Sequence, residues 1–382
     1  MSEYDVIVVG LGAMGSAAAY HLARRGQRVL GLDAFEAGHT LGSSHGETRI
    51  IRMAYFEHPD YVPLLRRAWT LWEQLERESN TRLLHVTGGL FIGPPAGDLV
   101  SGSLRSARAH GLPHTLLDAD EIRRRFPVFA PRDGEQALFE ERAGVLLPEK
   151  CLQAHLELAA AAGAVLRHSE PVRGWSAQDD EVSVDTDGGR YTAGALVVTA
   201  GAWAGKVLAD AGLPLQAERI PLFWFVPRES PEQFAIDRGP IWIWQTPELG
   251  DFFGTPHLEW PGVKIGKHHS GQAVDADTVD RAISEADEAP IREFLETRMP
   301  ALAGGVALAK VCLYTNTPDM HFIVDRHPEK PNVVYGAGFS GHGFKFATVI
   351  GEILADLATT GRATPDADFL RLTPTRSSAQ KR

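Results

Sequence analysis

The chain has 382 residues, 44% hydrophobic and 23% charged, with a formal net charge of -11. That length allows one large or two moderate domains with a sizeable core, and the acidic balance excludes a general nucleic-acid or anionic-membrane surface while permitting a local basic pocket. Two cysteines far apart in sequence, Cys151 and Cys312, argue against a disulfide framework and for a reducing, cytoplasmic setting, and no run approaches the roughly 20 apolar residues that span a bilayer.

Tyr4 to Val9 is a short β-branched run ending at Gly10, the pattern of a buried parallel strand. Helical spacing follows from Ala13 to Arg25, Gly26 stops it, and Arg28 to Leu32 is a second apolar run ending at Asp33, so the first 33 residues read as a βαβ unit. Within it, Gly10, Gly12 and Gly15 fall in G-x-G-x-x-G, and Asp33 follows at about the 20-residue spacing of the dinucleotide fingerprint. Such glycines allow a tight turn and the close approach of a pyrophosphate, and the acid accepts from ribose hydroxyls. An acid there disfavours a 2′-phosphate, which makes NADP the least suitable dinucleotide.

The polar loop from Gly42 to Thr48 leads into Arg49-Ile50-Ile51-Arg52. If that stretch is helical, Arg49 and Arg52 share a face and form a fork for a carboxylate or pyrophosphate; otherwise they are a solvated basic face. Helices are expected at Tyr61 to Glu78, with Trp69 and Trp72 as packing residues, at Asp118 to Phe126, and at Lys150 to Ala162, where Cys151 sits among leucines and alanines as a structural thiol. Strands are expected around Val86 to Gly93, Val182 to Asp187 and Tyr191 to Thr199. The last ends in Thr199-Ala200-Gly201, where small residues let a ligand approach the backbone.

From Pro221 to Gly271 the chain becomes aromatic and alternating, with Phe223, Trp224, Phe225, Trp242, Trp244, Phe252, Phe253 and Trp260. This pattern predicts an antiparallel sheet that offers a separate substrate face. Alternation in Lys264-Ile265-Gly266-Lys267-His268 puts Lys264, Gly266 and His268 on one side, either toward a cavity or on a solvent-facing edge. Asp275 to Met299 reads as an acidic, mostly helical, solvated stretch. Near the end come Cys312-Leu313-Tyr314-Thr315-Asn316-Thr317, a strand at Asn332 to Gly336, and Gly338-Phe339-Ser340-Gly341-His342-Gly343-Phe344-Lys345 opening a helix to Leu357. Backbone N–H groups and a lysine converge there, as an anion site requires. The tail after Pro374 reads as frayed.

Four motifs in this order, Ser44 to Arg52, Lys264 to His268, Cys312 to Thr317 and Gly338 to Lys345, make the chain resemble the monomeric sarcosine oxidase and N-methyltryptophan oxidase family over essentially its whole length. The resemblance implies an α/β protein with a discontinuous Rossmann-like FAD-binding domain (1–85, 144–215, 318–382) and a substrate domain on a mainly antiparallel sheet (86–143, 216–317). It further implies a monomer with FAD held covalently through the Cys312 sulfur to the flavin 8α-methyl, and Gly341 and Gly343 as a backbone cradle beside the ring. Arg52 and Lys345 clamp the substrate carboxylate, and Lys264 lies near flavin N5 to promote reaction with O2. His45, Arg49, His268 and Tyr314 complete a polar, cationic site.

The implied reaction removes hydride from a small carboxylate-bearing secondary amine, gives an imine, and yields H2O2. Small-substrate relatives often carry Tyr-Tyr where this chain has Phe252-Phe253, and Trp242 and Trp244 are expected to reshape the pocket. The substrate therefore stays open between sarcosine and a bulkier or cyclic amino acid such as N-methyltryptophan, proline or pipecolate. A dehydrogenase with another electron acceptor is the further alternative.

Overall fold

The computed structural model describes residues 2–178, 180–259, 261–363, 367–373 and 376; Trp260 and nearly all of the tail after Pro374 lie outside that set. Tyr4–Val9 forms a strand whose last four side chains are buried. It pairs in parallel with Val29–Leu32 on one side and Gly189–Val198 on the other. Gly189–Val198 is long enough to serve two partners along its far edge: its start runs antiparallel to Glu181–Thr186, and its end runs parallel to Val333–Ala337. The resulting eight-stranded sheet draws every strand from 4–32, 165–198 and 323–337.

Helix Ala13–Arg24 follows directly from the glycine turn and is buried along nearly its whole length. Helix Ala347–Thr359 lies against it, and Gly351 makes the approach possible, since a Cβ there would sit 2.5 Å from the Ala17 Cβ. Cys151 is fully buried in helix Pro148–Ala161, where desolvation holds its thiol well above the ordinary range, as expected of a structural cysteine.

The second sheet has nine strands, all drawn from 89–140 and 216–316. It is antiparallel except where Ile241–Thr246 runs parallel to Gly89–Gly93. Because side chains alternate across a strand, this sheet has two distinct faces. Phe223, Phe225, Trp242, Trp244 and Phe252 form one core cluster with Ile291, Phe294 and Leu295 of helix Glu285–Arg298. Phe294 stacks on Phe252 at 4.2 Å and on Trp242 at 5.7 Å. Two expectations are thereby corrected. The acidic stretch is not solvated throughout: helix 285–298 covers the sheet with its apolar face. Trp242 and Trp244 do not shape a pocket, because that same helix takes up their face.

A third, small sheet joins Arg49–Ile51, Leu84–Val86 and Gly144–Leu146. The stretch holding Arg49 is therefore extended, not helical: β-branched Ile50 and Ile51 pair with Val145 and Gly144. Arg49 and Arg52 consequently do not share a helix face.

His155 is buried between the rings of Tyr20 and Trp72, with centroids at 5.3 and 5.5 Å and neither nitrogen hydrogen-bonded among the described residues. Burial pushes it down to about 3. An unfolded chain takes up that proton below the ordinary value of 6.5 while the folded chain refuses it until about 3, so stability present at neutral pH is lost on acidification. The unfolding free energy from urea titrations should fall over that window at up to about 1.4 kcal/mol per pH unit from this group, and His155→Phe should flatten the dependence; an equally steep profile in the variant would contradict the assignment.

Candidate active site

A cavity of about 1290 Å³ runs from the dinucleotide turn to the face of the second sheet. At its first end the backbone is shaped by glycine. Gly10 has φ +88°, and a Cβ there would lie 2.6 Å from the Thr199 carbonyl oxygen; one on Gly15 would lie 1.8 Å from the Gly10 carbonyl oxygen. Gly12 caps helix 13–24, whose first amide, on Ala13, donates to Ser44 Oγ at 3.1 Å. Asp33 accepts from the Leu11 amide at 2.7 Å and from the Phe35 amide at 3.0 Å, which fixes its carboxylate at the cavity wall. Gly201, with φ +53°, lies in the turn after strand 189–198 and lines the same end. This turn, whose close backbone contacts leave no room for a side chain at position 10 or 15, fits a dinucleotide pyrophosphate on a helix N-terminus.

At the other end, the cavity face of the second sheet carries Leu222, Ile243, Phe253, Thr255, Lys264 and His268. Lys264 and His268 do share a face, as alternation requires, and both line the cavity. Lys264 is 2% exposed, lies 5.4 Å from the Trp224 ring centroid, and donates to the carbonyls of Gly46 at 2.6 Å and Thr48 at 2.8 Å. Burial first, then the Arg49 charge, hold its amine well below the ordinary lysine value. His268 meets the Tyr314 hydroxyl at 3.2 Å. Burial keeps this imidazole neutral, with its pKa well below the usual value, and pushes the Tyr314 phenol up.

Arg49 donates to the carbonyls of Thr48, Ser43 and His45 at 2.8, 2.8 and 2.6 Å, and its Nη2 lies 3.6 Å from Cys312 Sγ. Cys312 is 2% exposed, in strand Val306–Asn316, and its sulfur borders the cavity. Arg52 is packed against the rings of Tyr55, Phe56 and Phe91 at 4.1, 4.7 and 5.7 Å and reaches both Glu57 oxygens, at 2.7 and 2.6 Å. Lys345 Nζ donates to the His342 carbonyl at 2.6 Å and lies 5.3 Å from the same Tyr55 ring. Burial, then Arg52, lower it to about 7. Arg52 and Lys345 thus converge on the cavity from different elements.

The C-terminal loop depends on glycine as well. Gly341 has φ +78°, and a Cβ there would strike the Tyr314 ring at 2.3 Å; one on Gly343 would meet Phe339 at 2.5 Å. A 3-10 turn, Phe344–Phe346, continues into helix Ala347–Thr359. Trp72 Nε1 donates to the Lys345 carbonyl at 2.8 Å and its ring stacks on Phe344, so the expected packing tryptophan also anchors this loop.

His45 stands apart. It is buried behind the cavity wall, both ring nitrogens lack hydrogen-bond partners among the described residues, and burial, then Arg49 and Lys264, lower it to about 3. It adds no charge to the site; its carbonyl, not its ring, is used by Arg49.

Four carboxylates organise the site without a motif to announce them. Glu57 pairs with Arg52. Glu149 accepts from the Gly46 and Glu47 amides at 2.8 and 3.0 Å. Glu140 accepts from the Met53 and Ala54 amides at 2.7 and 2.8 Å, bracing the backbone just after Arg52; burial raises it to about 7 against those bonds. Glu218 accepts from His269, the Gly271 amide and Asn316 at 3.0, 2.6 and 2.5 Å; burial alone would raise it, but these bonds bring it down to about 2. The available signal was slight: Glu140 and Glu218 are the single acids of strands Gln136–Glu140 and Gln216–Phe225, whose neighbouring side chains are mostly buried, and a buried acid needs internal partners.

Residues 5–357 match the FAD dependent oxidoreductase family. Among individual proteins, the chain is 46% identical over 361 residues to a monomeric sarcosine oxidase of Streptomyces avermitilis, covering 94% of each. It is 35% identical to an N-methyl-L-tryptophan oxidase of Escherichia coli, covering 97% of this chain and 99% of that one. In structure it is similar to NikD, an unusual amino acid oxidase essential for nikkomycin biosynthesis, with TM-score 0.85, 27% identity, and coverage of 97% and 98%. The L-proline dehydrogenase from P. horikoshii, at 23% identity and TM-score 0.83, shares the fold. The chain belongs to the FAD dependent oxidoreductase family, in the group of the monomeric sarcosine oxidases and N-methyl-L-tryptophan oxidases.

Proposed function

We propose that this protein is a monomeric FAD-dependent oxidase of secondary amino acids, sarcosine or a close N-methyl relative, with O2 as electron acceptor. The observation that carries the reading is one cavity with a dinucleotide cradle at one end, and with buried Arg52, Lys345 and Lys264 lining its remaining wall. The names of the relatives agree with it. Under this reading 1–85, 144–215 and 318–382 form the FAD-binding domain and 86–143 and 216–317 the substrate domain, a division supported by which segments feed each large sheet.

FAD, when bound, supplies the two-electron acceptor for the substrate C–H bond. The chain does the rest by placement. Arg52 and Lys345 hold the carboxylate in a site with little water, where charge-assisted hydrogen bonds are strong, and so fix which C–H faces the acceptor. To do this Arg52 shares its Nη2 between substrate and Glu57. Neutral His268 and Tyr314 line the amine side without adding charge. The cations Arg49 and Arg52 disfavour a second positive charge nearby, which favours the free amine. Lys264 stands where it stabilises negative charge developing on oxygen. The imine product hydrolyses in water.

Anaerobic sarcosine should bleach the bound flavin and air should restore it with one H2O2 per cycle. In Lys264→Met the bleaching should persist while recovery slows by roughly 10²-fold or more, the scale of one lost charge-stabilising group. Rapid recovery in the variant would remove Lys264 from the oxygen step, and no bleaching by any secondary amino acid would overturn the function.

We further propose that Cys312 is the covalent tether of FAD, supported by its burial at the cavity wall with Arg49 at 3.6 Å. Acid-precipitated protein should stay yellow, and Cys312→Ala should release all flavin to the supernatant while Cys151→Ala releases none.

The lowered Lys345 gives a pH test. Its ammonium form, which binds a carboxylate, predominates below about 7 and is lost above it. Binding of acetate, read as a perturbation of the flavin spectrum, should weaken as pH rises through that value. Lys345→Met should remove this step; a step kept unchanged would assign it to another group.

A further inference from the structure

The cavity face of the second sheet carries one carboxylate that no step above uses. Asp251 opens the cavity-facing series Asp251, Phe253, Thr255 on strand Gly250–Thr255, and all three line the cavity. Its register partner across the ladder is His268, as Thr255 is that of Lys264. Asp251 therefore lies four residues, roughly 13 Å, along the sheet from the level of Lys264, and about 7 Å beyond Phe253. Between the two levels the wall is apolar: Phe253 and its register neighbour Ile243 come from the sheet, and Phe56 from the loop after Arg52.

Among the described residues this carboxylate has no full counter-charge in contact with it. Among the described residues it forms no salt bridge, and its side-chain hydrogen bond is with Gln245. The groups around it are mixed. Asp98, at the start of helix Asp98–His110, adds negative charge, and His269 adds some positive. His268 is held neutral, and Lys267 lies on the opposite face over the Phe252 ring. Burial and Asp98 raise the Asp251 pKa against Gln245 and His269, the mark of a carboxylate that lacks a counter-charge. A half-buried carboxylate in this position gains most from a ligand that brings a cation with its own hydrogen-bond donors.

We propose that Asp251 forms a distal specificity subsite, and that the preferred substrate is a secondary amino acid whose side chain has an apolar stem and a cationic, hydrogen-bond-donating end. Carboxylate and amine would be held by the groups already described, the stem would lie along Phe253 and Ile243, and the terminal cation would meet Asp251. The inference rests on the amino acid oxidase reading above and adds a substrate class to it.

The experiment compares kcat/KM of the holoenzyme for sarcosine, Nα-methyl-L-lysine and N-methyl-L-norleucine, the last matching the lysine stem without its ammonium. The expected wild-type ratio of the lysine to the norleucine derivative is at least about tenfold, the scale of one charge-assisted hydrogen bond. In Asp251→Asn the ratio should collapse to within about twofold, through loss of the lysine derivative's advantage. A wild-type ratio near one overturns the subsite whatever the variant does, and so does an undiminished ratio in Asp251→Asn. Anaerobic bleaching by sarcosine separates the two claims: bleaching with no lysine preference defeats only the subsite, and no bleaching by any of the three defeats the oxidase reading itself.

Discussion

The arrangement depends most on how one short backbone segment, Ser43 to Thr48, is held. Its carbonyls at Ser43, His45, Gly46 and Thr48 accept from two basic side chains, Arg49 and Lys264, while its amides at Gly46 and Glu47 donate to Glu149. Ser44 meanwhile accepts from the first amide of helix 13–24. One loop thus links the dinucleotide turn, helix 148–161 and the aromatic sheet. Neither basic group hangs free in a hollow: each is bound by oriented carbonyl dipoles, which offset part of the cost of burying it. Lys264 is fixed in place even though its protonated form is disfavoured, and Arg49 is fixed beside the Cys312 sulfur.

Much of this was legible in the sequence where local chemistry dictates local shape. The glycine turn, Asp33 and the parallel strands follow from steric need and apolar runs, and strand alternation alone put Lys264 and His268 together. Alternation was also where reading stopped short. It gives two faces without saying which one meets the cavity, so Trp242 and Trp244 looked like pocket residues until helix 285–298 was seen to cover them. For Arg49 and Arg52 the three-residue spacing fitted a helix, but the β-branched pair between them found a partner strand at 144–146. That partner lies far along the chain, and no local window contains it. The roles of Glu140, Glu149 and Glu218 were hidden for the same reason, since each is defined by groups 50 or more residues away, whereas Glu57 lies only five residues from Arg52 and no motif marks the pair.

The site separates charge from neutrality with some care. Arg49 and Arg52 are held by carbonyl and carboxylate partners, while burial is the largest influence on His45, His268 and His342 and holds all three imidazoles below their ordinary value. A wall of imidazoles beside buried arginines is therefore less positive than its residue names imply, and the free form of an amine is at home there.

The long strand Gly189–Val198 and the helix pair 13–24 and 347–359 have a consequence for how the molecule is made. Strand 4–9 and helix 13–24 leave the ribosome more than 150 residues before strand 189–198 is made, and the helix that covers Ala17 follows roughly 150 residues later still. Until then the N-terminal apolar surface has no lasting cover, and its contacts carry a high loop-closure cost. Residues 4–24 are thus made long before they are enclosed, which makes the nascent chain, more than the finished one, the form most exposed to aggregation.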